Sequence, residues 1–500
     1  MRSMLARLVV GFVIVLVLGA CAAPSVTSVS IDGGDRTIVV GDPLTLTATV
    51  VSSGGAGGSV AWESSDVAVA VIDGAGNVTS FTAGTTEVTA TSTSDPSMSD
   101  TITLTVDPPG LLRWTRQFGT SEEDFATGVA TDADGNVYAV GATFGDLEGA
   151  NAGFFDAFVR SYRDDGTLRW TRQFGTTSDG RATGVATDAS GNVYVVGYTF
   201  LALEGESAGG VDAFVRSFDR DGTVRWTRQF GTNATDEALG VATDASGNVY
   251  VVGRTLGVLE GDGFGGVDAF VRSFDGDGTV RWTRQFGTNA TDEALGVATD
   301  ASGNVYVAGY TGGALEGDSA GGFDAFVRSF DGDGTVRWTR QFGTSGGDSA
   351  SGVATDASGN VYVAGRTGGA LEGPNAGFFD AFVRSFAGDG TVRWTRQFGT
   401  SSDDSASGVA TDASGNVYVA GSTGGALEGP AAASTDAFVR SFAGDGTVRW
   451  TRQFGTSGSD RAAGVATDVS GGVYVAGLTF GALEGESFGG WDAFIRTYGR

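Results

Sequence analysis

One interval governs this chain. Trp114, Trp170, Trp226, Trp282, Trp338, Trp394 and Trp450 stand 56 residues apart, and Asp156, Asp212, Asp268, Asp324, Asp380, Asp436 and Asp492 keep the same step. Each copy runs RWTRQFGT, GVATDASGNVYV, LEG, DAFVRSF and a DGT turn, with few departures. A self-similar period of this length marks one supersecondary unit that buries its apolar face only against its neighbours. In the first copy, Leu112 to Phe118 alternates, and Thr127 to Asp132 runs into the turn Ala133-Asp134-Gly135. Asn136 to Gly141 returns as a strand, and a longer loop leads to the strand Asp156 to Tyr162. Alternating runs joined by Asp, Gly and Asn are hairpin signals. Four strands per copy and seven copies predict an all-β, seven-bladed β-propeller over residues 111–500.

The phase of the copies adds an expectation. The repeats open on a Trp strand and finish on Asp492 to Tyr498. If the Trp strand is the outermost of its blade, the first one pairs with the last Asp-Ala-Phe strand and closes the ring, which leaves no open sheet edge there.

The remainder of the chain reads differently. Arg2 and Arg7 form a basic start, Leu8 to Leu18 is apolar, and Leu18-Gly19-Ala20-Cys21 follows. That is the layout of an export signal over residues 1–20. It resembles a bacterial lipoprotein signal. The resemblance implies cleavage before Cys21, lipidation of that cysteine, and a membrane partner reached through the acyl chains, each buried CH₂ contributing about 0.8 kcal/mol. Residues 21–24 would be the lipidated start of the mature chain. Cys21 is the single cysteine, so no internal disulfide forms. Ala22 follows it; in a host with two membranes, the missing aspartate implies the outer membrane or the cell surface.

Residues 25–107 carry short alternating runs, Thr45 to Val50, Glu87 to Thr91 and Thr101 to Val106, which predict a small β-sandwich. Val40-Gly41, Trp62-Glu63-Ser64-Ser65, Gly76-Asn77-Val78-Thr79 and Ala83-Gly84-Thr85 make the segment similar to a bacterial Ig-like domain of group 2. In that family single modules serve as spacers or adhesin parts, with Trp62 in the core. Residues 108–110 read as a short stiff linker. The repeats resemble the SBBP β-propeller family through W-x-x-x-x-G, G-V-A-x-D-x-x-G-N-V-Y-V-x-G and D-A-F-V, a likeness that implies fold and an extracytoplasmic place but no uniform activity.

Composition narrows the chemistry. The formal charge is −28, histidine is absent, and every basic residue is arginine. Imidazole catalysis and lysine Schiff bases are therefore excluded, and the acidic balance speaks against nucleic acid. In a meander of this phase the DASGN and DGDGT turns share one face and the two longer connections share the other. Loops there differ most between copies, which makes that face the candidate binding surface. Asp124, Asp236, Asp292, Asp348, Asp404 and Asp460 lie in the first connection, with Gly180 and its neighbour Asp179 in the second copy. Glu148, Glu204, Glu260, Glu316, Glu372, Glu428 and Glu484 come from the LEG loops. Two carboxylate rings would favour cations, calcium among them, or basic partners; as solvated surface charge they would bind nothing. The turns Asp275-Gly276-Asp277-Gly278 and Asp331-Gly332-Asp333-Gly334 lack the glutamate of a calcium loop. No acid, serine or tyrosine is singled out against the sevenfold background, so the expected role is non-catalytic: a monomeric, envelope-anchored protein binding another envelope protein or a glycan. The rival readings are an enzyme on an extracellular polymer and a purely structural envelope protein.

Overall fold

The computed structural model describes residues 24–432 and 435–499. The leader and Cys21 lie outside the described residues. The chain divides into two compact units that meet between Pro108 and Pro109.

The first unit is a β-sandwich. Val60–Ser64, Gly84–Ser92, Ser99–Asp107 and Arg36–Val39 form one sheet in that order, the last pair parallel. Thr45 to Val50, expected as one strand, is two. Leu44–Thr45 pairs with Asn77–Ser80, while Ala48–Ser53 pairs with Ser25–Ile31. The chain changes sheets at Leu46, whose side chain is buried and whose N–H donates to the Gly76 carbonyl at 2.8 Å. A strand that serves two sheets has to break its ladder at such a corner. Trp62 packs, partly buried, on the cluster of Val88, Ala90 and Leu104.

The second unit is a ring of seven four-stranded antiparallel sheets. In the first blade Asp124–Thr131 is innermost, followed by Val137–Thr143, Asp156–Tyr162 and Leu168–Phe174. The last blade holds Asp460–Thr467, Val473–Thr479 and Asp492–Tyr498, and its outermost strand is Leu112–Phe118 from the start of the repeats. Trp114 faces Thr497 and Phe118 faces Ala493 in that pairing. The ring is thus closed as the phase of the copies predicts.

The second strand of each blade is apolar on both faces because both face protein. Tyr250 and Val252 join Val305, Val307 and Phe330 of the next blade, whereas Val249 and Val251 join Tyr194 and Val196 of the preceding one. Strands covered on both sides lose the in–out alternation of a half-wet sheet. The glycine of V-Y-V-x-G has a steric cause: a Cβ on Gly253 would lie 1.8 Å from the Glu237 carbonyl oxygen.

The repeated Trp and Arg fasten one blade to the next. Trp282 Nε1 donates to the Gly332 carbonyl at 3.0 Å, and Arg284 Nε donates to Gly334 at 2.9 Å. The Arg284 guanidinium lies 5.6 Å from the Trp282 ring centroid. Gly334 has φ +80°, and a Cβ there would also strike the indole at 2.8 Å, so two independent constraints require glycine. The segment expected as a linker over 108–110 takes part in the same arrangement. Gly110 (φ +67°) lies under Trp450, and Arg452 Nε donates to its carbonyl at 2.9 Å. Gly110 N–H donates to Gly499 O, and Gly499 N–H donates to Leu111 O. These are the two backbone bonds that Gly166 and Arg163 make within a continuous DGT turn. Pro109 and Gly110 therefore belong to the propeller, and the seventh turn is assembled from two separate stretches of chain.

At the axis a second closure appears. Thr187 Oγ1 donates to Thr131 O at 2.7 Å, and Thr243, Thr299, Thr355, Thr411 and Thr467 repeat the step. Thr131 Oγ1 completes the circle on Thr467 O at 2.8 Å.

Candidate functional site

The face that carries the longer connections is built from three strand ends per blade: the start of the innermost strand, the end of the second and the start of the third. The candidate aspartates sit at the first of these, but they are not surface ligands. Asp124, Asp236, Asp292, Asp348, Asp404 and Asp460 are all buried. Asp236 Oδ2 accepts from Thr232 N–H at 2.6 Å and from Thr232 Oγ1 at 2.9 Å, and Oδ1 accepts from Thr255 Oγ1 at 2.5 Å. The same carboxylate-capped turn recurs from Thr120 on Asp124 to Thr456 on Asp460. The expected outer carboxylate ring is therefore corrected to an internal one: each aspartate supplies acceptors that the tight turn after RWTRQFGT would otherwise lack. In the second copy Gly180 takes the buried place, and Asp179 pairs with Arg181 at 3.2 Å.

The glutamates remain partly exposed but are matched with arginines of the Trp strands. Glu148, Glu316, Glu372 and Glu428 meet Arg172, Arg340, Arg396 and Arg452 at 3.1 Å. Glu260 meets Arg284 at 3.3 Å and Glu484 meets Arg116 at 3.4 Å. Glu204 lies near Arg216 and supports its positive charge. Half-exposed pairs of this kind contribute about 0–1 kcal/mol each, yet they neutralise the ring. Neither ring is an open calcium site in this arrangement, and among the described residues no three acidic side chains gather as metal ligands would.

Burial raises the carboxyl pKa of Asp124, Asp292, Asp404 and Asp460; hydroxyl and backbone donors oppose it, and the neighbouring Asp492, Asp268, Asp380 and Asp436 add to it. A folded-state pKa above the unfolded value of about 3.9 means stability is gained as pH falls and lost as pH rises through the folded value. Asp300 and Asp356 act in the opposite sense. Burial would raise them, but bonds from Asn304 and Asn360, with Tyr306 and Tyr362, hold them low, so their contribution disappears only below about pH 4. The raised aspartates are expected to lower the unfolding midpoint as pH rises above about 4, and D292N to flatten that decline. A Tm series across that range checks both.

Symmetry is broken at three strand positions near the channel mouth. The residue after the first aspartate and its cross-strand partner read Phe125/Ala142, Arg181/Tyr198, Glu237/Arg254, Glu293/Tyr310, Ser349/Arg366, Ser405/Ser422 and Arg461/Leu478. The residue before the third strand is Phe155, Val211, Val267, Phe323, Phe379, Thr435 or Trp491. These side chains interact within and across blades. Arg254 bridges Glu237 at 2.9 Å and Glu293 of the next blade at 2.8 Å. Burial alone would lower the Arg254 pKa; the two glutamates more than reverse it. Arg181 covers Phe155 at 4.2 Å, Arg366 covers Phe379 at 4.7 Å, and Tyr310 packs edge-on against Phe323 at 5.0 Å. Trp491 packs against Phe480 at 5.5 Å. On the surrounding loops Phe154 is 61% exposed and Phe378 80%. The sequence carried this signal in the variable residue of V-x-G-x-T, which a comparison of loops alone passes over.

On the opposite face the DASGN turns stay nearly uniform, whereas the DGT turns vary at their first two residues, and Arg220 of one pairs with Asp134. Asp244 Oδ1 accepts from Ser246 and Asn248 N–H, and Oδ2 from Tyr250 Oη at 2.9 Å, a pattern repeated in the other blades. Gly128, Gly184, Gly240, Gly296, Gly352, Gly408 and Gly464 line the channel, and a Cβ on Gly296 would come within 3.1 Å of Gly352 Cα.

Comparison with known proteins agrees with this architecture. Residues 113–148, 169–199, 225–260, 281–315, 337–371, 393–427 and 449–482 match the SBBP beta-propeller repeat, and residues 25–102 match the bacterial Ig-like domain (group 2). The chain is 26% identical over 413 residues, 72% of its length, to "Regulatory protein FlaEY" of Caulobacter vibrioides, of which the match spans only 42%. It is 39% identical over 88 residues, 16% of its length and 8% of the other protein, to a 3-O-alpha-D-galactosyl-alpha-L-arabinofuranosidase of Bifidobacterium longum. The WD40 domain of Neurospora crassa Pan2 is similar at TM-score 0.42 and 11% identity, over 78% of this chain and 97% of that one. The Ig-like domain points to an extracytoplasmic protein. The chain belongs to the SBBP β-propeller repeat proteins, with seven repeats closed into one ring behind a group 2 bacterial Ig-like domain.

Proposed function

We propose that the protein is an exported, lipid-anchored scaffold whose propeller binds an envelope protein or glycan without chemical turnover, through the face of the longer connections. Cys21 carries the lipid in this reading, and the Ig-like domain acts as a spacer. One observation carries it: the blades differ from one another most at the three positions and loops of that face, while the turns of the other face vary mainly at the first two residues of the DGT turn. Copies under equal folding constraints that diverge more at one end than at the other are what a face meeting an asymmetric partner would show. Exposed aromatics among paired charges are also what recognition surfaces offer. A relative named as a regulatory protein fits a propeller that acts by binding.

The test is capture from an envelope extract by the full chain in detergent. Phe154→Ser with Phe378→Ser should lower capture at least about tenfold, the size of a hot-spot loss. Val280→Ser with Val336→Ser, exposed on the turn face, should leave it unchanged. Chelator should not abolish it, because both carboxylate rings are engaged within the chain. Equal loss from both pairs, or turnover of a sugar polymer, would overturn the reading.

A further inference from the structure

The arginines that follow each repeat tryptophan are engaged by glutamates, indoles and carbonyls, and those of the third strands lie on phenylalanine rings. Two on the recognition face are not matched with a carboxylate among the described residues. Arg366 and Arg461 are both exposed, Arg366 resting on Phe379, and both line one cavity of about 550 Å³ that spans the sixth blade. Ser402, Ser405 and Ser422 line it too, as does the exposed Asp403. The remaining acid there, Asp404, is buried and held by Thr400. The sixth blade carries serine at both varying positions, so the cavity exists because its side chains are short where its neighbours carry arginine. An adjoining cavity of about 200 Å³ shares Arg366 and Phe379 and adds Tyr310 and Phe323.

The chemistry of this lining is specific. Guanidinium groups present paired N–H donors that match a carboxylate. In a chain of formal charge −28, two such groups left without an internal partner in one cavity mark a place for an anion. The lining also holds three serines, Thr435 and the exposed carboxylate of Asp403. A simple anion would leave the hydroxyls and Asp403 without a partner, whereas a hydroxyl-rich acid would use all of them. The adjacent aromatic wall supplies an apolar platform, and the main cavity falls within the range of ligand sites.

From this geometry we infer that the cavity over the sixth blade binds a uronic acid residue of an acidic polysaccharide. Arg366 and Arg461 hold the carboxylate, Asp403 and the serines receive the ring hydroxyls, and the next sugar lies over Tyr310 and Phe323. The inference rests on the proposed recognition face and names its ligand class.

The fold itself supplies the test variants. Serine stands at the Arg461 position in the fifth and sixth blades and at the Arg366 position in the sixth, so R461S and R366S place residues that this scaffold already accommodates. The full chain in detergent is titrated calorimetrically with digalacturonic acid, with the neutral digalactose, and with an Asp/Glu-rich peptide. Binding of digalacturonic acid is expected, weakened about tenfold or more by each variant, as the loss of a charged hydrogen bond implies, and weakened again by salt. Unfolding midpoints of both variants should stay at the parental value. Absence of digalacturonate binding, binding unchanged in both variants, equal binding of digalactose, or binding of the peptide alone would each overturn the assignment. The envelope capture separates the two claims. If the R366S/R461S double variant still captures its partner while the parent chain ignores digalacturonate, the uronate assignment falls and the recognition face stands. If Phe154 and Phe378 also prove irrelevant, both fall.

Discussion

Removing Pro109–Phe118 should destroy the cooperative folding of the propeller, although those residues are a small fraction of it. They supply the outermost strand of the last blade and half of its seventh turn. Phe118 is buried against Phe158 at 5.8 Å and under the Arg160 guanidinium at 4.6 Å. Trp114 packs between Tyr474 at 6.1 Å and Tyr162 at 6.5 Å. Truncating a buried aromatic costs about 3–5 kcal/mol, so losing Phe118, the partly buried Trp114 and their whole strand together is large against the stability of an ordinary domain, about 5–15 kcal/mol. The deletion also bares the edge of Asp492–Tyr498, a ready template for intermolecular pairing. Thermal unfolding should therefore shift down and broaden, and size-exclusion chromatography should show higher oligomers. A synthetic peptide of residues 109–118 added in trans should restore the sharp transition. The threonine circle at the axis is untouched by the deletion; if it alone kept the parental midpoint, the strand exchange would not be what closes the ring.

Much of this fold was legible because the repeat imposes the same physics seven times. The fixed step from Trp114 to Trp450 gave the blade count, and the phase of the copies gave the closing strand. What escaped were contacts between copies. The Trp282 indole meets Gly332 of the next copy, and no local pattern announces a partner 50 residues away. Pro109 and Gly110 looked like a linker because their counterpart turn lies at the far end of the chain. The aspartates looked like surface ligands because acidic residues in variable loops usually are. The spacing that contradicts this, a threonine four residues before each of them, is visible in hindsight as a side-chain-capped turn. The strand positions that break the symmetry were legible too, yet they sit inside segments whose other residues repeat faithfully.

Setting the three varying strand positions to Ser, Ser and Thr in every blade, as in Ser405, Ser422 and Thr435, should have the largest functional effect. Phe154, Phe264, Phe378 and Phe488 on the loops are changed to serine with them. The fold should accept these residues, since the sixth blade already holds Ser405 opposite Ser422 in the same ladder and Thr435 at the same junction, its carbonyl accepting from Asp460 N–H. The internal aspartates, the Trp–Arg fastenings and the threonine circle are all retained. The cost is the Arg254 bridge with its two glutamates and the ring contacts of Phe155, Phe323, Phe379 and Trp491; replacing all members of an ion network removes charge and partner together, which is often close to neutral, and the rings lie at the rim of the face rather than in the blade cores. The measurement that decides the account is envelope capture by this symmetrised full chain beside the parent, with unfolding followed on the same samples. The account predicts a midpoint within a few degrees of the parent and capture reduced to background. A symmetrised propeller that folds and still captures the same partner would contradict it, because recognition would then not reside in the differences between blades.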